Sequence, residues 1–309
     1  MKLNINDIIV YTVLVGKHEG LNSQPKIKES KIKHVCLTDD INLKSDYWEI
    51  IHLDMILPKD NHRSQRNLKI RPHLFFPDYK YSLYIDNTVV LLQKAEEFIH
   101  MITNRDDFLE NNPFFAIPYH SFRKDLREEF YQCSNLRLDS QFRIYEQITD
   151  YFKINKEFFN FKPYWAGILF RNHNNKKLKN LSEIWFANIC RYSRRDQLSL
   201  MHSAYQANIK LIGFNLDNSS SQFHKWPVKN NVYENKYYDD LFEFFPNELL
   251  QKSFINSNKL ETPFIRLEKR RNLIYLLFPK LLIKKIYYKF IFLIKKNIKK
   301  YFIFYLKKK

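Results

Sequence analysis

The stretch Tyr81–Val90, YSLYIDNTVV, decides how the chain is organised. Its apolar run Leu83-Tyr84-Ile85 stops at an acid, Asp86, followed by the amide of Asn87 and the hydroxyl of Thr88. The aromatic and β-branched content predicts a strand over 81–86. An acid at the end of such a strand either opens a turn or sets a carboxylate at the lip of a pocket. The surrounding sequence has to separate the two.

Working outward, β-rich apolar runs recur at 8–15, 34–38, 47–53, 113–117, 164–170 and 209–214. Between them, apolar periodicity predicts helices over 93–104, 123–133, 139–152 and 181–192. In the last, Leu181, Ile184, Trp185, Ile189 and Tyr192 share a face, with Asn180 placed to cap it and Glu183 to reach back. Strands interleaved with helices imply an α/β layer fold with a mostly parallel sheet flanked by helices. Ligands bind such sheets beyond the carboxyl ends of the strands, which is where Asp86 stands. Residues 215–235 read as a polar loop and 236–250 as a further helix. The chain then divides into a domain over 1–250, a linker over 251–268 and a tail over 269–309.

With 309 residues, 45% of them hydrophobic, the chain can bury a sizeable core and is not a disordered segment. There are 27 Phe and 20 Tyr against 4 Gly, so a single aromatic carries little functional signal. The net charge of +18 is concentrated: residues 269–309 hold 14 Lys or Arg and no acid, which leaves 37 basic and 33 acidic side chains, a net +4, in residues 1–268. A body so nearly balanced gives no basic face for nucleic acid. In the tail, aliphatic and aromatic clusters alternate with lysine pairs, and no apolar run exceeds about six residues. A spanning helix needs roughly 18–20. The pattern predicts a basic amphipathic helical tail lying on an anionic membrane surface. Packing against the body or a second copy, and nucleic-acid binding, are the other readings of it. Cys36, Cys133 and Cys190 have no metal or redox spacing and fit a reducing compartment. The apolar IIVYTVLVG near the N-terminus follows Asp7 and lacks a cleavage pattern, so it reads as a strand rather than a signal peptide.

Several polar clusters could carry chemistry. Thr12 and Gly16 close the first strand, where a glycine serves a tight turn or the approach of a ligand. Thr38, Asp39 and Asp40 follow the second strand, where an acid either caps a turn or accepts hydrogen bonds from a base or ribose. Arg63, Arg66, Lys69 and Arg71 fall within nine residues. Arg66 and Lys69 share a helix face and suit a diphosphate, or simply face solvent. Arg194, Arg195, Asp196 and Gln197 lie where one helical pattern ends and another begins. Asp196 there is a helix cap or part of a sugar-hydroxyl clamp. His224 is a loop histidine, a common metal ligand type.

The strings YTVLVG, CLTDD, RNLKIRPHLFFPDYKYSLYIDN, IPYHSFRKDLREE, WAGILFRNHN and SEIWFANICRYSRRDQLS run in order between about residues 10 and 200. In content, order and rough spacing they resemble the MUCI-type glycosyltransferase-like domain family. The resemblance implies a GT-A type, Rossmann-like fold, distantly similar to family 8 enzymes. It also implies transfer of a sugar from a nucleotide-sugar donor, a UDP-sugar, to a glycan or lipid-linked acceptor. With the tail, it suggests surface polysaccharide synthesis at the cytoplasmic face of the membrane. By this analogy Thr12, Gly16, Thr38 and Asp39 line the nucleoside pocket, and Arg66, Lys69 and Arg123 lie near the diphosphate. His120 and Arg123 fall in one family block, and Trp165, Gly167 and Arg171 in another. Asp196 and Gln197 face the donor sugar. Asp86 matches the first acid of an Asp-x-Asp pair, with manganese expected on Asp86 and His224. Thr88 stands in the second acid's place, so a cationic clamp of Arg66, Lys69 and Arg123 is the alternative to the metal. A non-catalytic module that binds nucleotide or glycan on the same scaffold is the competing reading.

Overall fold

The computed structural model describes residues 3–17, 19–105, 108 and 114–228. The expected helix at 236–250, the linker and the basic tail lie outside the described residues.

In chain order the strands are β1 (Ile8–Leu14), β2 (Lys33–Thr38), β3 (Glu49–His52), β4 (Tyr81–Ile85), β5 (Val90–Leu91), β6 (Phe115–Pro118), β7 (Ile168–Arg171), β8 (Ile212–Phe214) and β9 (His224–Lys225). All but β5 and β9 join one sheet in the order β3-β2-β1-β4-β7-β6-β8. The pairs β3–β2, β2–β1, β1–β4 and β6–β8 are parallel, while β7 runs against both of its neighbours. The sheet is therefore mixed and mostly parallel. The helices are α1 (Asn61–Ile70), α2 (Ala95–Thr103), α3 (Leu126–Asn135), α4 (Gln141–Ile154), α5 (Lys176–Arg191) and α6 (Asp196–Gln206).

Every residue of β1 is buried, so both faces of the sheet are covered. Alternation along the strand splits its side chains between two cores. Ile8, Val10 and Leu14 pack with Phe98, Ile99 and Ile102 of α2. Ile9, Tyr11 and Val13 pack on the other face with Leu68 and Ile70 of α1, Trp185 and Ile189 of α5, and Leu200 of α6. This is a three-layer α/β/α arrangement.

Three local expectations are corrected. The α5 cap is Asn175, whose side chain accepts from the Lys177 N–H. Asn180 lies inside the helix, and Glu183 turns outward to take the Arg71 guanidinium at 2.7 and 2.8 Å. The strand expected at 164–170 starts only at Ile168, because Trp165 folds its indole over Gly167. A Cβ on Gly167 would lie 2.3 Å from that ring, so only glycine fits beneath it. The expected loop at 215–235 contains β9, which pairs antiparallel with β5 through Leu91 and His224. A two-residue ladder is too short to leave a periodic signal.

Candidate functional site

Because the strands of the main sheet other than β7 run one way, the carboxyl ends of β1, β2, β4, β6 and β8 share an edge of that sheet with the start of β7. Gly16, Thr38, Asp86, His120 and Trp165 all follow or precede strands there. Two adjoining cavities open at this edge, and Glu19 borders both. The first, about 190 Å³, is lined by Asn61, Gln65 and Arg66 of α1, by Asp86 and Thr88 beyond β4, and by Arg195. The second, about 520 Å³, is lined by Leu14, Thr38, Asp39 and Asp40.

α1 brings the cations to this edge. Asp60 caps it by accepting from the Arg63 N–H at 2.9 Å, and the helix stops at Arg71, which precedes Pro72. One helical turn apart, Arg66 and Lys69 point at the same acid. Arg66 Nε lies 3.3 Å and Lys69 Nζ 2.7 Å from Asp196 Oδ2. Lys69 Nζ also lies 3.2 Å from Asp86 Oδ1. Burial alone would raise the Asp196 carboxyl, but Arg66, Lys69 and Arg195 outweigh it and hold the group well below the usual carboxylate range. Asp196 is the first residue of α6, and its cap position is Arg195. The acid therefore serves as the buried counter-charge of α1 rather than as a helix cap.

Asp86 is the more open acid, its side chain about 30% exposed. Its Oδ1 accepts from the Tyr84 hydroxyl at 2.6 Å, and its backbone N–H donates to the Gly167 carbonyl at 2.8 Å. Tyr84 is fully buried. Burial first, and then the Asp86 charge, push its phenol well above the ordinary value, so it stays a donor. Tyr84 is a site residue that the sequence reading used only as strand. Its position two residues before Asp86, on the same face of the strand, was the available signal.

A second buried carboxylate, Glu129 on α3, stands behind this group. It accepts from Arg123 Nε at 2.8 Å and from the Gln197 amide at 3.2 Å. Arg123 is thus spent on Glu129 and lines neither cavity, so it does not join Arg66 as expected. Gln197 is fixed by Glu129 beside Asp196. His120 lies 3.8 Å from Glu129, and burial lowers its pKa to about 4, so it is neutral near pH 7. Helical periodicity gave no reason to single out Glu129.

The expected nucleoside residues divide. Gly16 adopts φ +85° and donates its N–H to Asp39 Oδ1 at 3.0 Å, joining the loops after β1 and β2. Thr38 and Asp39 line the larger cavity. Thr12 lies within β1, fully buried, and its hydroxyl finds no hydrogen-bond partner among the described residues. Val13 and Leu14 reach the cavities instead.

The residues present do not fit a protein-held metal. His224 is fully buried, with one ring nitrogen 3.1 Å from the Asn218 carbonyl and the other 2.8 Å from the Ser221 hydroxyl. The Thr88 hydroxyl accepts from the Trp226 indole at 3.1 Å. The Asn87 amide oxygen accepts from the Asn22 N–H at 2.9 Å. No group of three or more His, Cys, Asp or Glu side chains that would hold a metal ion occurs among the described residues.

A family model described as TOD1/MUCI70, glycosyltransferase-like domain, matches residues 6–225. No curated protein matches the chain. Among solved structures, the chain is similar to the apo structure of the WbbM bifunctional glycosyltransferase, with 11% identity and a TM-score of 0.39 over 66% of this chain and 38% of that one. The chain thus spans well under half the length of that protein.

Proposed function

The chain belongs to the TOD1/MUCI70 glycosyltransferase-like domain family, and on that premise we propose that it transfers a sugar from a nucleoside-diphosphate donor to a glycan or lipid-linked acceptor. The observation that carries this reading is the meeting of Asp86, Arg66 and Arg195 in one cavity at the carboxyl edge of the parallel strands, beside a larger cavity lined by Thr38 and Asp39. The larger cavity takes the nucleoside, with the Asp39 and Asp40 carboxylates available to base or ribose hydroxyls. The smaller takes the diphosphate and the sugar.

Breaking the bond between the anomeric carbon and the phosphate leaves negative charge on the diphosphate. Arg66 and Arg195 line the cavity where that charge grows, and guanidinium groups match phosphate oxygens two at a time. Donors fixed before the reaction stabilise such charge without reorganisation. Asp86 orients the sugar by accepting from a hydroxyl, its own position held by Tyr84 and by the Gly167 carbonyl.

Calorimetric titration with uridine diphosphate and a panel of UDP-sugars tests the reading. Wild type is expected to bind, and Arg66→Gln to bind at least tenfold more weakly, about 1.4 kcal/mol for one lost charge-assisted contact. Asp86→Ala is expected to lose donor hydrolysis and transfer while still binding uridine diphosphate. If no sugar nucleotide binds, the reading fails. If uridine diphosphate binds but wild type neither hydrolyses nor transfers the donor sugar, the chain is a binding module rather than a transferase, and if Asp86→Ala turns over like wild type, Asp86 does not orient the sugar.

A further inference from the structure

Two carboxylates from distant parts of the chain converge on one cation in this site. Asp86 comes from the end of β4 and Asp196 from the first turn of α6, and Lys69 Nζ stands between them at 3.2 and 2.7 Å. The Lys69 side chain is only 2% exposed. Its ammonium lies 4.9 Å from the centre of the Tyr84 ring. Its backbone is fixed as well: the Lys69 carbonyl, one of those that a helix end leaves unpaired, accepts from the Tyr11 hydroxyl at 2.5 Å and from the buried Arg171 guanidinium. A lysine so held is part of the framework rather than a mobile surface charge.

We propose that Lys69 is a resident cation, occupying between Asp86 and Asp196 the place that a divalent metal would take, so that the site binds its diphosphate without a metal. Hard divalent ions need about six oxygen ligands. Here the two carboxylates already share an ammonium, and the neighbouring neutral oxygens of Asn87 and Thr88 are occupied by Asn22 and Trp226. A metal bridging the two carboxylates has to displace Lys69. Asp86 and Asp196 are offset by Lys69 and Arg66, and Arg195 and Glu19, of opposite sign, also line the cavity. Sequence alone hides this arrangement, because Thr88 suggests a lost metal ligand while the compensating acid lies on α6.

For its nucleotide arm the proposal rests on the donor-site reading above; its metal arm stands independently. The full chain is titrated with uridine diphosphate in chelator and in Mn²⁺. The dissociation constants are expected to agree within about twofold. Separately, thermal melts are recorded with Mn²⁺ alone. Wild type is expected to show no shift. Lys69→Ala removes the ammonium that Asp86 and Asp196 share, so Mn²⁺ is expected to raise its midpoint by several degrees, and adding Asp86→Asn to that variant should abolish the rise. Tenfold weaker nucleotide binding in chelator overturns the proposal, as does a Mn²⁺ shift in wild type that Asp86→Asn removes. If Lys69→Ala does not fold, the two wild-type measurements decide. If no nucleotide binds in any condition, the donor-site reading falls, and the Mn²⁺ melts still decide whether Lys69 holds the cation position.

Discussion

Around Asp86 buried charges meet opposite charges, whereas around His224 the polar atoms are closed off by backbone and rings. In the first region Lys69 and Arg66 meet Asp196, and Lys69 also meets Asp86. In the second, His224 gives its nitrogens to Asn218 and Ser221 and stacks at 5.5 Å on Trp165, which in turn meets Trp226 edge-on at 5.5 Å. Both regions sit at the same edge of the sheet, and both contain residue types that bind ligands. They differ in spare capacity. A carboxylate accepts more than one hydrogen bond and a guanidinium donates five, so paired ions still have valence to offer. A neutral imidazole with both nitrogens engaged has none.

The sharpest way to break this contrast is to remove one charge. Asp196→Ala leaves the Lys69 and Arg66 cations without their buried partner and is expected to cost roughly 3–5 kcal/mol, read as a lowered denaturant midpoint. A loss under about 1 kcal/mol would mean that the cluster is solvated and not a buried ion network. Next in size is Gly167→Ala, which pushes a methyl into the Trp165 indole and is expected to cost about 1–3 kcal/mol by overpacking. Because that change strikes the aromatic region, uridine diphosphate affinity should move less than stability. A larger effect on affinity would join the two regions into one site.

Acid separates the regions more gently. Burial lowers His120, His173 and His202 to about 4 and lowers His224 in the same direction. These groups take up protons near pH 6.5 when unfolded but resist them when folded. Their share of the stability is therefore full above pH 6.5 and lost progressively as pH falls from there towards 4, at up to about 1.4 kcal/mol per pH unit for each group. Asp196 behaves differently: its pKa is depressed, so its contribution persists until pH falls below the unfolded value of 3.8. Melting curves between pH 7.5 and 5 should thus decline while the ion cluster remains charged. A midpoint indifferent to pH over that range would mean that these histidines are not buried neutral.

Local pattern carried the sequence reading a long way. The β-rich runs gave the strands of the main sheet, and the strand's stop at an acid placed Asp86 at the carboxyl edge. Asp39 followed from the same logic, two strands over. Pairing between distant elements was not legible. Periodicity reports which face of a helix is buried, not which charge waits opposite, so the meeting of Lys69 with Asp196 and of Arg123 with Glu129 depended on how α1, α3 and α6 pack. His224 shows the same limit from the other side: its residue type suggested a ligand, and only its neighbours revealed both nitrogens as taken.

Arg171 bears on how the protein could be re-engineered. It sits on β7, the antiparallel strand, yet one of its nitrogens reaches both the Tyr11 hydroxyl on β1 and the Lys69 carbonyl on α1. The obvious seam for a chimaera lies between β4 and β7, where the strand direction reverses. A cut there would leave the parallel half without the guanidinium that anchors its lysine. A working graft has to carry β7 with it, so the modular unit of this fold extends one strand beyond the point where its topology changes.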